Sequence, residues 1–284
     1  MVLVVALALS ACDSDKNAGL VSVIAQGTEG MDTSTNFTND DCRDSGAFTI
    51  CATPAEYRLT VSEVRLVICG SDSQSLCSLN DDGSAFEGDS ETIASITDTR
   101  PMTVISTSSY GSISTGNLAR VTFGGLYVYI TAIEAVLPET DAIEDDYQGA
   151  TVKTCLIDEC ETGAQRGDVL VKLQGESSFK WFNTANGQLV TSRATGTPMT
   201  DATIAAGESG SMGTYTDSAL VVPVTRGEFD TLSRRDTQKV YLRVNAEKSF
   251  NCNDSDANDG CNPSILEAFG PKLPASYTFR VSKY

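Results

Sequence analysis

The residues best placed to hold a ligand lie in one short stretch, Asn251-Cys252-Asn253-Asp254-Ser255-Asp256-Ala257-Asn258-Asp259-Gly260-Cys261. Side-chain oxygens alternate at Asp254, Asp256 and Asn258, Asp259 stands beside them, and a glycine follows. Calcium takes roughly six to eight hard oxygen ligands, and alternate residues of a tight loop can converge on one ion. A bridge between Cys252 and Cys261 would shorten the loop and lower the entropy lost on closing it around a cation. No glutamate stands at a closing distance, so a site here would be weak, with a dissociation constant of about 10⁻⁴–10⁻³ M. The competing reading is a solvated acidic turn clasped by the same disulfide.

The spacing is similar to the D-x-D-x-N-G opening of EF-hand and dockerin loops. It departs from them at Asp259, which occupies the glycine position, so that Gly260 comes one residue late. Two weaker acidic runs, Asn80-Asp81-Asp82-Gly83 and Glu144-Asp145-Asp146, read as a turn and a charged loop. The chain has no histidine. That removes Ser-His-Asp and Cys-His catalysis and histidine-ligated zinc or iron. With the loop cysteines oxidised, carboxylate and amide oxygens are left as ligands, and these suit calcium.

Three catalytic look-alikes fail on context. Asp44-Ser45-Gly46 resembles the aspartic-protease triplet but follows Cys42-Arg43 instead of an apolar strand. Ser177-Ser178-Phe179-Lys180 fits S-x-x-K without the companion S-D-N and K-T-G motifs. Gly207-Glu208-Ser209-Gly210 does not make a nucleophile elbow. A glycosidase-like carboxylate pair stays open as the enzymatic alternative. Trp181, Phe182, Tyr127 and Tyr129 would form either a sugar platform or core, and their strand spacing favours core.

Nine cysteines include Cys12, and the other eight fall into close pairs: Cys42 and Cys51, Cys69 and Cys77, Cys155 and Cys160, Cys252 and Cys261. Eight cysteines permit about a hundred pairings. Short separations across loop-like segments favour the sequential one, which implies an oxidising compartment. None of the spacings is the C-x-x-C of a zinc ribbon.

Residues Met1 to Leu9 form an apolar run, followed by Leu9-Ser10-Ala11-Cys12. The run is too short to span a bilayer, which takes about 20 residues. The four-residue motif resembles the bacterial lipobox, in which a peptidase cuts before the cysteine and the thiol is acylated. The resemblance implies a signal peptide over residues 1–11, a lipid anchor on Cys12 and a place in the cell envelope, periplasmic or at the outer surface. Asp13 resembles the inner-membrane retention signal of some enteric bacteria. No Lys or Arg precedes Cys12, so the start codon is expected upstream.

The chain has 284 residues, is 40% hydrophobic and carries a net charge of -18. That composition buries a real core, in one large β domain or two small ones at about 150 residues each. The acidic field repels nucleic-acid phosphate and tolerates cationic partners. Residues 12–41 read as a tether with an edge strand over Leu20 to Ala25. In Tyr57 to Cys69 apolar residues alternate on odd positions and then on even ones, and the phase flips at Ser62-Glu63. That predicts a β-bulge or a strand passing between two sheets. Gly124-Gly125 is expected to mark a turn or kink between two strands, and Asn186-Gly187 a type I′ hairpin. Further strands are expected at Thr92 to Thr97, Thr103 to Thr107, Ala150 to Ile157, Val169 to Leu173, Leu220 to Thr225, Lys239 to Ala246 and Tyr277 to Val281. Glu228 to Leu232 and Ile265 to Phe269 read as brief helices.

The fold expected is all-β, an antiparallel β-sandwich, immunoglobulin-like or related. It spans residues 42–138 and 139–284 as two packed subdomains or as one continuous domain. Tyr57-x-Leu59-x-Val61-x-x-Val64-x-Leu66, the nearby Cys69 and Cys77, and Val240-x-Leu242-x-Val244-Asn245 before a Pro-containing tail together resemble the uncharacterised bacterial β-sandwich lipoproteins. That resemblance implies fold type and export and supplies no catalytic residue. The function expected is a lipid-anchored envelope or surface protein with a non-enzymatic binding, adhesion or structural role, its partner an envelope protein or glycan. The alternative is a carboxylate-dependent glycan hydrolase.

Overall fold

The computed structural model describes residues 20–27, 49–68, 91–96, 101–103, 108–114, 123–139, 143, 145–183, 187–193, 214–216, 219–223, 237–253, 268–271 and 276–283. Among the described residues the chain is all-β, with one 3-10 turn at Asp145–Tyr147 and no α-helix. The strands are β1 (Leu20–Gly27), β2 (Thr49–Ala52), β3 (Glu56–Ile68), β4 (Glu91–Ile96), β5 (Pro101–Thr103), β6 (Ser108–Ser114), β7 (Phe123–Val136), β8 (Thr151–Cys155), β9 (Val169–Lys172), β10 (Lys180–Asn183), β11 (Gln188–Val190), β12 (Thr214–Thr216), β13 (Ala219–Pro223), β14 (Thr237–Asn245), β15 (Phe250–Asn253), β16 (Ala268–Pro271) and β17 (Ser276–Lys283).

The long strands β3 and β7 form the spine of a ten-stranded antiparallel sheet. One edge of β7 is lined by β3. The other is shared by β13, along Gly125 to Tyr129, and β8, along Ala132 to Val136. From β8 the sheet continues through β9, β10 and β11. Strands before and after Pro138 therefore hydrogen-bond directly to one another.

The phase flip at Ser62-Glu63 is a double irregularity in the β3–β7 ladder. Thr60 pairs with Ala132, Val61 with Ile130 and Glu63 with Tyr129, so Thr131 and Ser62 are each passed over in the register. Their hydroxyls occupy the carbonyls left at the break. Ser62 Oγ donates to Tyr129 O at 3.4 Å, and Thr131 Oγ1 donates to Thr60 O at 3.3 Å. A bulge inserts residues without leaving backbone groups unmet when short hydroxyl side chains stand at the break.

Several local expectations are corrected. Gly124-Gly125 is not a turn: β7 runs through it, and Gly124 is passed over between the Val67–Gly125 and Ile68–Phe123 pairs. A glycine in a strand relieves crowding at such a bulge. The strand at residues 20–27 is interior, between β14 and β6. Its apolar run would make a hazardous edge, and pairing on both sides removes the exposed ladder. It pairs with β14 in parallel, so this four-stranded sheet, in the order β17-β14-β1-β6, is mixed. Ala268 and Phe269, expected at the end of a helix, begin β16. The hairpin at Asn186-Gly187 forms, with Gly187 at φ +67°, but its base pair is Asn183–Gln188. The connection is thus four residues and not the two of a type I′ turn. Glu228 to Leu232 lies outside the described residues.

The core sits on one face of β3, β7, β8 and β9. Register puts Tyr57, Leu59, Ile133, Ala135, Val152, Thr154, Val169 and Val171 on that face, and all are buried. The three-stranded sheet β16-β15-β2 brings Phe250 and Cys252 into the same buried set, and β16 lies against β8 and β7. Each large aliphatic or aromatic side chain buried there contributes roughly 1.5–3 kcal/mol. On this face Thr154 Oγ1 donates to Pro271 O at 3.0 Å.

Candidate functional site

The opposite face of the same strands carries charge. Arg58 on β3 faces Glu134 on β7, which faces Lys153 on β8, which faces Leu170 on β9, which faces Trp181 on β10. Directly opposed residues share a face, so these five make one row across five strands. Side chains of Glu134 and Lys153 are only 7% and 8% exposed. A charge buried to that extent must be paired. Lys153 Nζ lies 3.0 Å from Glu134 Oε1 and 2.5 Å from Glu161 Oε1. It also stands 4.2 Å from the centroid of the Phe179 ring, which draws in Lys172 Nζ at 5.2 Å as well. Arg58 pairs with Glu56 and approaches Glu134 at 3.7 Å. The Glu56 hydrogen bond raises Arg58 above its ordinary value against the opposing effect of burial.

What buries this face is the excursion from β8 to β9, residues 156–168. Its neck is closed by Cys155 N to Asp168 O at 2.9 Å and Gly167 N to Cys155 O at 2.8 Å. A disulfide joins Cys155 to Cys160, with 5.6 Å between Cα atoms. Inside the loop, acidic side chains accept from backbone N–H groups: Asp158 from Arg166, Glu159 from Gly163 and Asp168 from Gln165. Glu159 itself holds a φ of +59°, and Gly163 and Gly167 supply two more left-handed positions. These conformations suit a short, tightly wound loop. Arg193, just beyond β11, grips Asp168 with both Nε, at 2.7 Å, and Nη2, at 3.1 Å. That bidentate hydrogen bonding raises Arg193 above its ordinary value. The loop then presses Ala164 and Cys160 onto Leu170, Phe179 and Trp181. Trp181 Nε1 is buried with no hydrogen-bond partner among the described residues.

The outcome is a sheet face sealed by a clasped loop whose rim is exposed at Asp158, Glu159, Thr162, Gly163 and Gln165. On this face Glu56 and Glu134 share Arg58, and Glu134 and Glu161 share Lys153. A glycosidic oxygen would have to enter between the two carboxylates of a pair, and a cation stands there in each. The arrangement neutralises charge and fixes the loop.

Of the residues singled out from sequence, the described part of the structure joins Cys155 to Cys160. Cys51 and Cys252 are both disulfide-bonded. They belong to adjacent strands, with Cys51 opposite Asn251 and Cys252 opposite Ile50, so they occupy opposite faces and are not bonded to each other. Cys12, Cys42, Cys69, Cys77 and Cys261 lie outside the described residues, as do Asp254, Asp256, Asn258 and Asp259 of the expected calcium loop. Among the described residues no group of three or more acidic or cysteine side chains is arranged to hold a metal ion. Asp145 and Asp146 are exposed in the 3-10 turn. Phe182 is core, and Trp181 is half-buried under the loop.

The Arg58–Glu134–Lys153 row was missed from sequence. A signal was there: each charge sits between strand-forming or apolar neighbours, as Tyr57-Arg58-Leu59, Ile133-Glu134-Ala135 and Val152-Lys153-Thr154. Comparison with protein-family models, curated proteins and solved structures finds no match.

Proposed function

We propose that the chain is a lipid-anchored protein of the bacterial cell envelope whose all-β domain is a sandwich that binds a partner without catalysing a reaction. The observation that carries the binding role is the 156–168 loop, held by a disulfide, a bidentate Arg193–Asp168 pair and buried Glu161–Lys153 contact. A loop so fixed is pre-organised, and pre-organisation lowers the entropic cost of binding. The sandwich reading is supported by β16 lying against β8 and β7, by β17 meeting β13, and by β6 meeting β4. Anchoring is supported by Leu9-Ser10-Ala11-Cys12 behind an apolar run. The hydrolase alternative loses support on this face, because a cation fills the gap in each carboxylate pair: Arg58 between Glu56 and Glu134, and Lys153 between Glu134 and Glu161.

The test has two parts. Full-length protein made in a bacterium takes up a palmitate analogue, and Cys12→Ser does not; equal labelling of the two ends the anchoring claim. Envelope extract is then passed over wild-type chain and over Asp158→Asn/Glu159→Gln. Partners retained by the first and lost from the second map binding to the loop rim, whereas identical retention places it elsewhere. Calcium in the Cys252–Cys261 loop is part of the same proposal, supported by a disulfide-bonded Cys252 at the end of β15, next to Asp254. Millimolar calcium should raise the melting temperature of the wild type and not of Asp254→Ala/Asp256→Ala.

A further inference from the structure

The four-stranded sheet carries charge of one sign. Strands β1, β6, β14 and β17 contain Lys239, Arg243, Arg280 and Lys283 and no Asp or Glu. The whole chain has 38 acidic residues against 20 basic ones. Register places three of the four cations on one face: Lys239 between Ser22 and Ser282, Arg280 opposite Tyr241, and Arg243 between Gln26 and Thr278. The other face of the same strands reads Val21, Val23 and Ala25, then Gln238, Val240, Leu242 and Val244, then Lys283, Val281, Phe279 and Tyr277, with the fourth cation at its end. Val244 on that face is fully buried. The basic positions therefore fall on the reverse of the face that carries Val244.

This sheet is also the part of the domain nearest the expected anchor. Its interior strand begins at Leu20, eight residues after Cys12. A chain of that length spans at most about 29 Å. We propose that the basic face of this sheet rests on the anionic headgroups of the membrane to which Cys12 is tied. The inference rests on the anchoring proposed above. Each Lys or Arg at an anionic surface contributes roughly 1 kcal/mol, fading over a Debye length of about 8 Å. Three such residues would not recruit a chain of net charge -18 from solution. On a chain already tethered they choose which side faces the lipid, and the repelled acidic remainder reinforces the choice.

The experiment uses the full, lipidated chain in vesicles of phosphatidylcholine alone or mixed equally with phosphatidylglycerol. A neutral water-soluble amine reagent is applied, and acylation of Lys239 is read by mass spectrometry against Lys172 and Lys180 of the other sheet. Lys239 labelling is expected to fall roughly fivefold in the anionic vesicles, with the reference lysines unchanged. High salt, or Arg243→Glu/Arg280→Glu, should restore it. Equal Lys239 labelling in both compositions overturns the proposal while leaving the anchor intact. A chain that fails to remain with either vesicle overturns the anchor and the proposal together.

Discussion

Val152 and Thr154 face one way from β8, Lys153 and Cys155 the other, and all four are buried. The first side is packed mainly with apolar side chains, and the Thr154 hydroxyl is answered by Pro271 O. The second is covered by a loop that must bring a carboxylate, Glu161, to satisfy the lysine beneath it. The apolar side gains from area alone and tolerates many side chains of similar volume. The charged side favours the loop conformation that brings Glu161 to Lys153, which otherwise has Glu134 as its carboxylate partner. We read the apolar face as the source of stability and the charged face as the source of loop position.

Perturbing each side should separate these roles. The largest effect is expected from Ile133→Ala on the apolar side, a cavity costing about 3–4 kcal/mol in urea unfolding, with the loop's hydrogen-exchange protection intact below the transition. Glu134→Ala should follow at about 3 kcal/mol, since it leaves Lys153 and Arg58 each short of a partner. Glu134→Leu/Lys153→Met should cost less than Glu134→Ala alone; a double variant at the sum of its singles would show that the two side chains contribute independently and that the pair carries no coupling energy. Cys155→Ala/Cys160→Ala should cost about 2 kcal/mol by the loop-entropy account and should open Lys153 to amine acylation before global unfolding. If Lys153 stays protected, the loop is held by Asp168–Arg193 and the disulfide is redundant for position. The smallest effect, about 0.5–1 kcal/mol, is expected from Phe179→Leu, which removes the ring face from Lys153. Trp181, the only tryptophan, lies under the loop, so its emission reports on the charged side in each of these experiments.

Legibility in the sequence divides along the same line. Strands with long alternation, such as β3, β14 and β17, were expected close to where they lie, and the phase flip at Ser62-Glu63 marked the bulge in the β3–β7 ladder. The short strands β2, β15 and β16 were not, because Cys, Asn, Gly and Pro within four positions give no period to detect, and β12 is only three residues long. Pairing partners were equally invisible: nothing local in Leu20 to Gly27 announces a parallel neighbour at Thr237 to Val244. The charged row was overlooked for a physical reason. A lone Lys or Glu in an alternating strand ordinarily marks the solvent side, and only the covering loop, remote from Arg58 and Glu134 in the chain, turns that side into an interior. The Cys155–Cys160 spacing pointed to the clasp and gave no hint of the lysine it covers.

The interior place of β1 has a kinetic consequence. Leu20 pairs with Thr237, most of the chain away, while β7, β8, β9 and β10 each pair with their successor across a short connection. Closing a long loop must precede any contact that rewards it. The local meander can therefore assemble as the chain emerges, but the first strand has no parallel neighbour until β14 has been synthesised. Between those moments Leu20 to Gly27 is an apolar segment without its final partner, and the protein's vulnerability to aggregation is set by how long that wait lasts.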